Sequence, residues 1–222
     1  REFLMIVACV TIVLASLIAM TKDNLKARLA YSTIAQLAYV TLGALLADKA
    51  GMLGGSLQIA AHAVGKITLF MCAGAIYVAT GLTNISDMKG LGRKMPLVFI
   101  AFLIGSLSII GLPPLAGAWP KFELMQGAVD RGQDWVMFIL IASSLLNIAY
   151  LLPIPILGLM PPPGTKAPKE FKRPGGAPAL TVAAPLFTAF LCIVLFFAID
   201  PVGAFLAPAL DAVAATPGEI LP

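Results

Sequence analysis

Two lysines stand where the sequence is otherwise apolar, and their chemistry is proton exchange. Lys66 lies inside the apolar segment 57–80, and Lys121 follows a proline-broken apolar segment that begins at residue 97. An ammonium group at the centre of a membrane helix costs about 3 kcal/mol on insertion scales, so it is expected to face a protein interior or water. Desolvation also disfavours the charged form of an amine, which lets a buried lysine release and rebind protons. The two lysines therefore predict a proton path through an apolar bundle.

The surroundings of Lys66 strengthen this interpretation. Gln58, His62 and Lys66 are spaced four residues apart and fall on one face of a helix. A polar stripe at this depth is typical of a proton or ion path. The alternative is structural, with His62 and Lys66 each bonded to a neighbouring carbonyl.

Lys121 belongs to the stretch G-L-P-P-L-A-G-A-W-P-K-F-E-L, residues 111–124. Pro113 and Pro114 cannot continue a helix, which leaves two interpretations. Either 97–116 spans the membrane alone and Lys121 lies in an interfacial loop, or 97–111 and 118–129 form two halves of a broken helix. Fifteen residues are about 22 Å long, short of an apolar core of about 30 Å. Irregular backbone at that depth is tolerated where it is packed in protein or lines a wet cavity, and broken helices carry the ion sites of many transporters.

Other polar residues in the apolar segments are candidates for lining a water wire. For each of them the alternative role is ordinary hydrogen bonding between helices. Glu123 is a poor counter-ion for Lys121, because positions i and i+2 of a helix diverge by about 200°. The candidates are Gln58, Ser32, Gln36, Ser106, Ser143, Asn147 and Glu123.

Composition gives the class of protein. Hydrophobic residues make up 59% of the chain and charged residues only 12%, which predicts an all-α, polytopic membrane helix bundle. The net charge of +4 is scattered over short loops and does not indicate nucleic-acid binding. The three cysteines, in separate segments, and the single histidine predict no metal site, haem or other cofactor. The sequence predicts six spans, at residues 3–20, 29–47, 57–80, 97–116 (the proline-broken one), 135–160 and 179–199.

The loops set the predicted orientation. Ten of the 15 Lys and Arg residues lie in the loops 21–28, 81–96 and 161–178. Positively charged loops stay in the cytoplasm, so both termini are expected outside a bacterial plasma (inner) membrane. The Pro/Gly-rich loop 161–178 is expected to be solvated and unstructured, and it precedes a final span, 179–200. The tail, 201–222, is expected to be interfacial or disordered.

Several motifs resemble one family. They are L-K-A-R-L-A-Y-S-T-I-A-Q-L-A-Y (25–39), H-A-V-G-K (62–66), I-S-D-M-K-G-L-G-R-K-M-P (85–96), G-L-P-P-L-A-G-A-W-P-K-F (111–122) and S-S-L-L-N-I-A-Y-L-L-P-I (143–154). In order and spacing they resemble the antiporter-like subunits of multisubunit cation/proton antiporters, the D subunit above all, and the related proton-pumping subunits of respiratory complex I. The family's fourteen helices include two inverted five-helix repeats, each with one broken helix. The resemblance implies that residues 1–160 are the second repeat, with the broken helix at 97–129, followed by the final helix.

The resemblance also implies roles. Lys121 matches the terminal proton-exchanging lysine of the second broken helix, Lys66 a relay lysine, and His62 the histidine one turn before it. The sequence departs from the family at Gly65 and Ala118, where bulky aromatics are usual, and at Pro120, where a small residue is usual.

The implied function is that of a proton-translocating subunit, or the C-terminal half of one, in a multisubunit cation/proton antiporter. The alternative is a proton-pumping subunit of a complex I-type, redox-driven complex, which alone would make the assembly an enzyme, a translocase. A structural subunit without transport is the more remote third candidate. Because the chain starts at Arg1 without the first repeat and its glutamate–lysine pair, the expected partners are the lipid bilayer and other membrane subunits. One of these, or another segment of the same subunit, would supply the first repeat.

Overall fold

The computed structural model describes residues 1–165 and 177–214, and in these ranges the fold is an all-α bundle without a β-strand. Five helical segments of the described residues are long and apolar enough to cross a membrane. This confirms the predicted polytopic helical bundle. The helices are α1 (Glu2–Thr21), α2 (Leu25–Leu46), α3 (Lys49–Thr80), α4 (Pro96–Ile110), α5 (Ala118–Asp130), α6 (Asp134–Leu151), α7 (Pro153–Leu159), α8 (Ala179–Phe197) and α9 (Ile199–Ala214).

The central helix is α3, which packs against α2, α4, α5, α8 and α9. Its 32 residues correspond to about 48 Å, longer than the membrane core. The span predicted at 57–80 lies within this helix, but the sequence assigned D-K-A-G-M-L-G-G (48–55) to a connection between spans, and that assignment is wrong because the helix starts at Lys49. Asp48 caps α3 by accepting a hydrogen bond from the backbone N–H of Gly51. The glycines that suggest a loop instead allow α2 and α5 to approach the α3 backbone closely.

The fourth span is broken, as the two prolines predict. Helix α4 ends at Ile110, and Gly111 takes the left-handed conformation, with φ +92°, at the helix end. Helix α5 begins at Ala118 and carries Pro120 in its first turn, where the missing N–H is harmless. The interpretation of 97–116 as one continuous span is therefore wrong.

The break lies inside the bundle and not at its rim. Leu115 and Ala116 are buried, and the Ala116 N–H donates a 2.8 Å hydrogen bond to the Cys192 carbonyl on α8. Backbone freed by the break is thus satisfied by a neighbouring helix, as an apolar environment requires.

The remaining helices follow the predicted spans with two refinements. The predicted span 135–160 consists of α6 and the short helix α7, which starts at Pro153. The tail predicted at 201–222 is described up to residue 214, and this part belongs to helix α9, which contacts α3 and carries an ion pair of 2.8 Å between Lys49 and Asp211. Most of the loop predicted at 161–178, together with residues 215–222, lies outside the described residues.

Backbone contacts sort the loops into two ends of the bundle. At one end the α1–α2 loop meets the α3–α4 loop, with Leu25 N to Thr83 O and Ile85 N to Asp23 O both 2.9 Å. At the other end the Arg1 guanidinium donates to the Leu46 carbonyl at 3.1 Å, and Arg131 donates to Ala47. The first and third loops therefore share one end, and the N-terminus lies at the opposite end.

Two apolar clusters fill the core, one towards each end. The first includes Leu29, Leu69, Ile76, Phe99 and Phe102, and the second includes Met5, Ile12, Leu42, Leu124 and Leu140. On α1, α2 and α6 the buried polar residues stand between the parts of the helix that belong to the two clusters. The bundle thus encloses a polar layer, whose fully buried members on these three helices are Ser16, Ser32, Gln36, Ser143 and Asn147.

Candidate functional site

Lys66 projects from α3 towards α2 and is 4% exposed. Its Nζ donates hydrogen bonds to Ser32 Oγ at 2.6 Å and to the Leu29 carbonyl at 3.2 Å. The Leu29 carbonyl belongs to the intact helix α2 and also accepts from Thr33 Oγ1 at 3.0 Å, so Lys66 shares it with a second side chain. Two polar atoms thus replace part of the hydration that the lysine loses on burial.

The network continues from Ser32 to α6. Tyr150 Oη lies 2.9 Å from Ser32 Oγ and also donates to Asn147 Oδ1. All three side chains are buried. Lys66 is therefore connected through two hydroxyl groups to the carboxamide of Asn147.

Lys121 occupies a second pocket, at the helix break, and is 5% exposed. Its Nζ donates to the Ile110 carbonyl at 2.7 Å and to Ser144 Oγ at 3.0 Å. It also lies 5.4 Å from the ring centroid of Tyr39, within the range of a cation–π interaction. The aliphatic part of the side chain crosses Gly111, where an added Cβ would come within 2.7 Å of Lys121 Cδ.

The helix break explains how a cation is accommodated there. Lys121 stands in the first turn of α5, but its Nζ reaches back to the carbonyl of the last residue of α4. A helix C-terminus carries partial negative charge, which favours a nearby cation. A continuous helix would bond the Ile110 carbonyl internally and would offer no free helix end at this depth.

No carboxylate in the described parts of the chain lies within ion-pair distance of Lys66 or Lys121. Glu123 is half-buried on another face of α5, where it lies against α3 near Gly54. Its position agrees with the divergence expected from its spacing, and it does not join the lysines. Both amines therefore rely on neutral oxygens.

Helix α2 shows how far apart the two amines lie. Lys66 bonds at Leu29 and Ser32, and Lys121 contacts Tyr39. Seven residues of helix separate Ser32 from Tyr39, which corresponds to about 10 Å. The amine of Lys66 lies nearer the end formed by the first and third loops, and the amine of Lys121 lies nearer the opposite end.

Polar side chains lie between the amines of Lys66 and Lys121 on the side of the bundle that α6 forms. The Tyr39 hydroxyl lies close to Ser143, Ser144 and Asn147. Among the described residues, Tyr39 Oη, Ser143 Oγ and Asn147 Nδ2 are buried without a hydrogen-bond partner. Unpaired buried polar atoms are costly, and they are concentrated here between the two lysines.

A second polar branch runs along α3 and passes His62. Gln58 Nε2 donates to Gln36 Oε1 at 2.8 Å, and His62 Nδ1 is buried with no partner in the described chain. His62, both glutamines, Ser108 and Gly117 line a narrow crevice that is too tight for a water molecule in this conformation. The crevice connects the stripe on α3 with the break between α4 and α5.

The structure therefore places most candidate residues in one polar layer. Gln58, Gln36 and His62 share the crevice, Ser32 and Asn147 belong to the chain from Lys66, and Ser143 lies near Tyr39. Ser106 is buried on α4 without a partner in the described residues. Ser144 contacts Lys121 but was not identified from the sequence, although it neighbours Ser143. Ser16 on α1 was missed because a single serine in an apolar helix carries no periodic signal.

The fold and the site define a class: a polytopic helical membrane protein with one buried lysine at a broken helix and a second on the central helix. Residues 1–147 match the family described as NADH:quinone oxidoreductase/Mrp antiporter, TM, and the chain belongs to this family. The predicted family resemblance is confirmed.

Individual relatives are more distant. The chain is 33% identical over 201 residues to NADH-quinone oxidoreductase subunit N of Desulforudis audaxviator, covering 89% of this chain and 40% of that protein. It superimposes on a chain of Thermus thermophilus respiratory complex I with a TM-score of 0.87 at 22% identity, covering 98% of this chain and 45% of that one. It also superimposes on a chain of the Mrp complex from Dietzia sp. DQ12-45-1b with a TM-score of 0.79 at 23% identity, covering 97% and 46% respectively. The chain thus spans less than half the length of each of these proteins.

Proposed function

We propose that this chain is a proton-translocating half of an antiporter-like membrane subunit, in which Lys66 and Lys121 bind and release the transported proton. One observation carries the proposal: two buried lysines, unpaired with any carboxylate in the described residues, lie within one polar layer. Groups of this kind are rare in membrane helices and mark proton relays.

The contacts suit repeated protonation. Charged, each amine donates to a carbonyl and a serine hydroxyl; neutral, it can accept a hydrogen bond from the same hydroxyl. Because the two amines share one low-dielectric layer, charging one raises the cost of charging the other. A proton arriving at Lys66 therefore favours release at Lys121. His62, one turn from Lys66, is placed to pass protons along the second branch.

Two driving processes fit this site. In a cation/proton antiporter the proton would exchange against sodium or another cation. In a redox-driven, complex I-type assembly the same relay would pump protons. Similar proteins of both kinds exist, an NADH-quinone oxidoreductase subunit and a chain of an Mrp complex, and they support the two candidates equally. The chains that co-purify with the protein discriminate between the two.

The topology and partners are part of the proposal. We infer that the loops 21–28, 81–96 and 161–178 face the cytoplasm and that both termini face outward. The backbone contacts between the first and third loops support a common side for these two. The remaining length of the relatives supports a partner chain or segment that supplies a first repeat, and the exposed apolar side chains of α1 and α6 suit contact with it or with lipid.

The central test replaces each lysine in the assembled complex. Lys66→Ala and Lys121→Ala should abolish most proton-coupled transport in membrane vesicles while assembly stays near normal, because removing a buried charge relieves a desolvation cost. Lys49→Ala is the matched control, since Lys49 is exposed and pairs with Asp211 on the surface. It should retain transport.

Lys66→Arg separates charge from proton exchange. The guanidinium keeps the positive charge but cannot release its proton in the working range, so this variant should fail as completely as Lys66→Ala. Undiminished transport with Lys66→Ala and Lys121→Ala would instead assign both lysines a structural role.

A further inference from the structure

The hydrogen-bond chain between Lys66 and α6 ends at a group of a different kind. Lys66 Nζ, Ser32 Oγ and Tyr150 Oη are linked at 2.6 and 2.9 Å, and Tyr150 then donates to Asn147 Oδ1. Amines and hydroxyls can accept one proton while they give up another. A carboxamide has an acceptor oxygen and a donor NH₂ on separate atoms, so it cannot take a proton on one side and release one on the other.

The protonation state of Lys66 sets the direction of this chain. The charged amine has only donors, so it donates to Ser32 Oγ. The Ser32 hydroxyl then donates to Tyr150 Oη, and the Tyr150 hydroxyl donates to Asn147 Oδ1. When Lys66 is neutral, its lone pair accepts the Ser32 proton, and Tyr150 turns its proton to Ser32. Asn147 Oδ1 then loses its donor, and the Tyr150 oxygen becomes free to accept.

Asn147 can satisfy the neutral arrangement by rotating its amide. Its Nδ2 is buried without a partner in the described structure and, after rotation, it would donate to Tyr150. Its oxygen would then turn towards the hydroxyls of Tyr39 and Ser143, which lie close by and are themselves buried without a partner among the residues that the structure describes. The hydroxyl protons of Ser32 and Tyr150 each keep an acceptor in both arrangements.

These hydroxyls lie next to the second lysine. Tyr39 places its ring against Lys121 Nζ at 5.4 Å, and Ser144, beside Ser143, accepts from the same amine at 3.0 Å. Reorientation at Asn147 therefore reaches the immediate surroundings of Lys121. No proton has to cross the amide for this to happen.

We propose that Asn147 is an insulating coupler between the two lysines, an inference that rests on the proposed function. It transmits the protonation state of Lys66 to the surroundings of Lys121 but blocks proton passage along α6. Proton transfer is thereby confined to the branch through His62 and the crevice at the helix break. Asn147 is a positioning residue, which acts through Tyr150 and Tyr39.

The test replaces Asn147 by groups that can or cannot relay a proton, in the assembled complex reconstituted into liposomes. Asn147→Asp is nearly isosteric and Asn147→Thr supplies a hydroxyl, and each would complete a continuous chain. Asn147→Gln and Asn147→Leu cannot relay. The measured quantity is passive proton conductance under a pH gradient, with the driving cation gradient or redox substrate absent.

We expect Asn147→Asp and Asn147→Thr to raise passive conductance several-fold. Asn147→Gln and Asn147→Leu should leave it at the wild-type level, and Asn147→Leu should reduce coupled transport. The leak should disappear when Lys66→Ala is added, because the completed chain ends at that amine. If one relaying variant does not assemble, the other gives the same comparison.

Two outcomes overturn the proposal. Equal passive conductance in all four variants would make Asn147 ordinary helix–helix contact. Raised coupled transport without leak in Asn147→Asp would make the α6 chain the proton path itself. The proposed function is tested separately, since coupled transport in Lys66→Ala and Lys121→Ala does not depend on where the path runs.

Discussion

Each buried lysine is stabilised by neutral oxygens that the fold supplies at one point. Lys121 reaches the free carbonyl of Ile110, and Lys66 reaches a serine and a helix carbonyl of α2. A carboxylate would hold either lysine in the charged state. Neutral acceptors stabilise the ammonium less, which leaves the amine able to lose its proton.

At the residue scale, Gly111 is predicted to position Lys121. An alanine there would meet the lysine side chain at 2.7 Å and would adopt φ +92°. Gly132 also has a positive φ, +65°, but no atom of the described residues lies within 4 Å of a Cβ added to it. Backbone strain should lower the free energy of unfolding of both Gly111→Ala and Gly132→Ala by about 1–2 kcal/mol. Only Gly111→Ala should also lower proton-coupled transport, because it displaces the amine.

The comparison is read from thermal denaturation and from transport in vesicles. Gly132→Ala controls for the strain. Equal transport by the two variants would show that the contact between Gly111 and Lys121 does not affect proton-coupled transport.

At the scale of elements, α3 is the helix on which the other elements are positioned. Its glycines lie where neighbouring backbones approach: Gly54 faces Pro120 and Leu124 on α5, and Gly55 faces Gly43 on α2. Small residues are the usual means by which membrane helices pack closely. The close approach of α5 holds the first turn, and with it Lys121, beside α2 and α3.

This packing predicts opposite effects for two glycines of the same helix. In Gly54→Ala the new Cβ would come within 2.8 Å of Leu124 N, while a Cβ added to Gly74 would have no described atom within 4 Å. Gly54→Ala should lower the free energy of unfolding by about 1–3 kcal/mol, because the added methyl group overpacks the contact with α5. Gly74→Ala should be neutral or stabilise by about 0.5–1 kcal/mol, because alanine favours the helix.

Both effects can be measured by unfolding the purified protein in detergent with heat or with denaturant. Similar stability losses for the two variants would mean that helix propensity, and not the approach of α5, dominates at Gly54.

At the scale of the whole molecule, the bundle is two apolar clusters with a polar layer between them. The clusters anchor the helices towards both ends, and the lysines lie in the layer. Such an arrangement keeps the two lysines away from both ends of the bundle.

The orientation of this bundle in the membrane can be tested by cysteine labelling. Single cysteines at Lys89 and Lys169 should react with a membrane-impermeant reagent only from the cytoplasmic side, and one at Lys49 only from outside. Lys169 lies outside the described residues. The native Cys9, Cys72 and Cys192 are buried and should contribute little background. Labelling of positions 49 and 89 from the same side would contradict the proposed topology.

The sequence by itself determined the helical membrane class, the break between α4 and α5, and which α3 residues share a face. These features are local. The consecutive prolines Pro113 and Pro114 remove two backbone donors and stop a helix locally. Apolar runs of sufficient length are expected to span, and helical periodicity follows from backbone geometry. The family resemblance rested on the same short motifs.

Only the tertiary structure decided what the lysines contact. Lys66 meets Ser32 across 34 positions of sequence, and Tyr150 meets Ser32 across 118. The early start of α3 also depended on neighbours, since its glycines are favourable there only because α2 and α5 pack on them. Local patterns do not specify such pairings, because a side chain's partner depends on how whole helices pack, and that packing is fixed by contacts distributed along their full length.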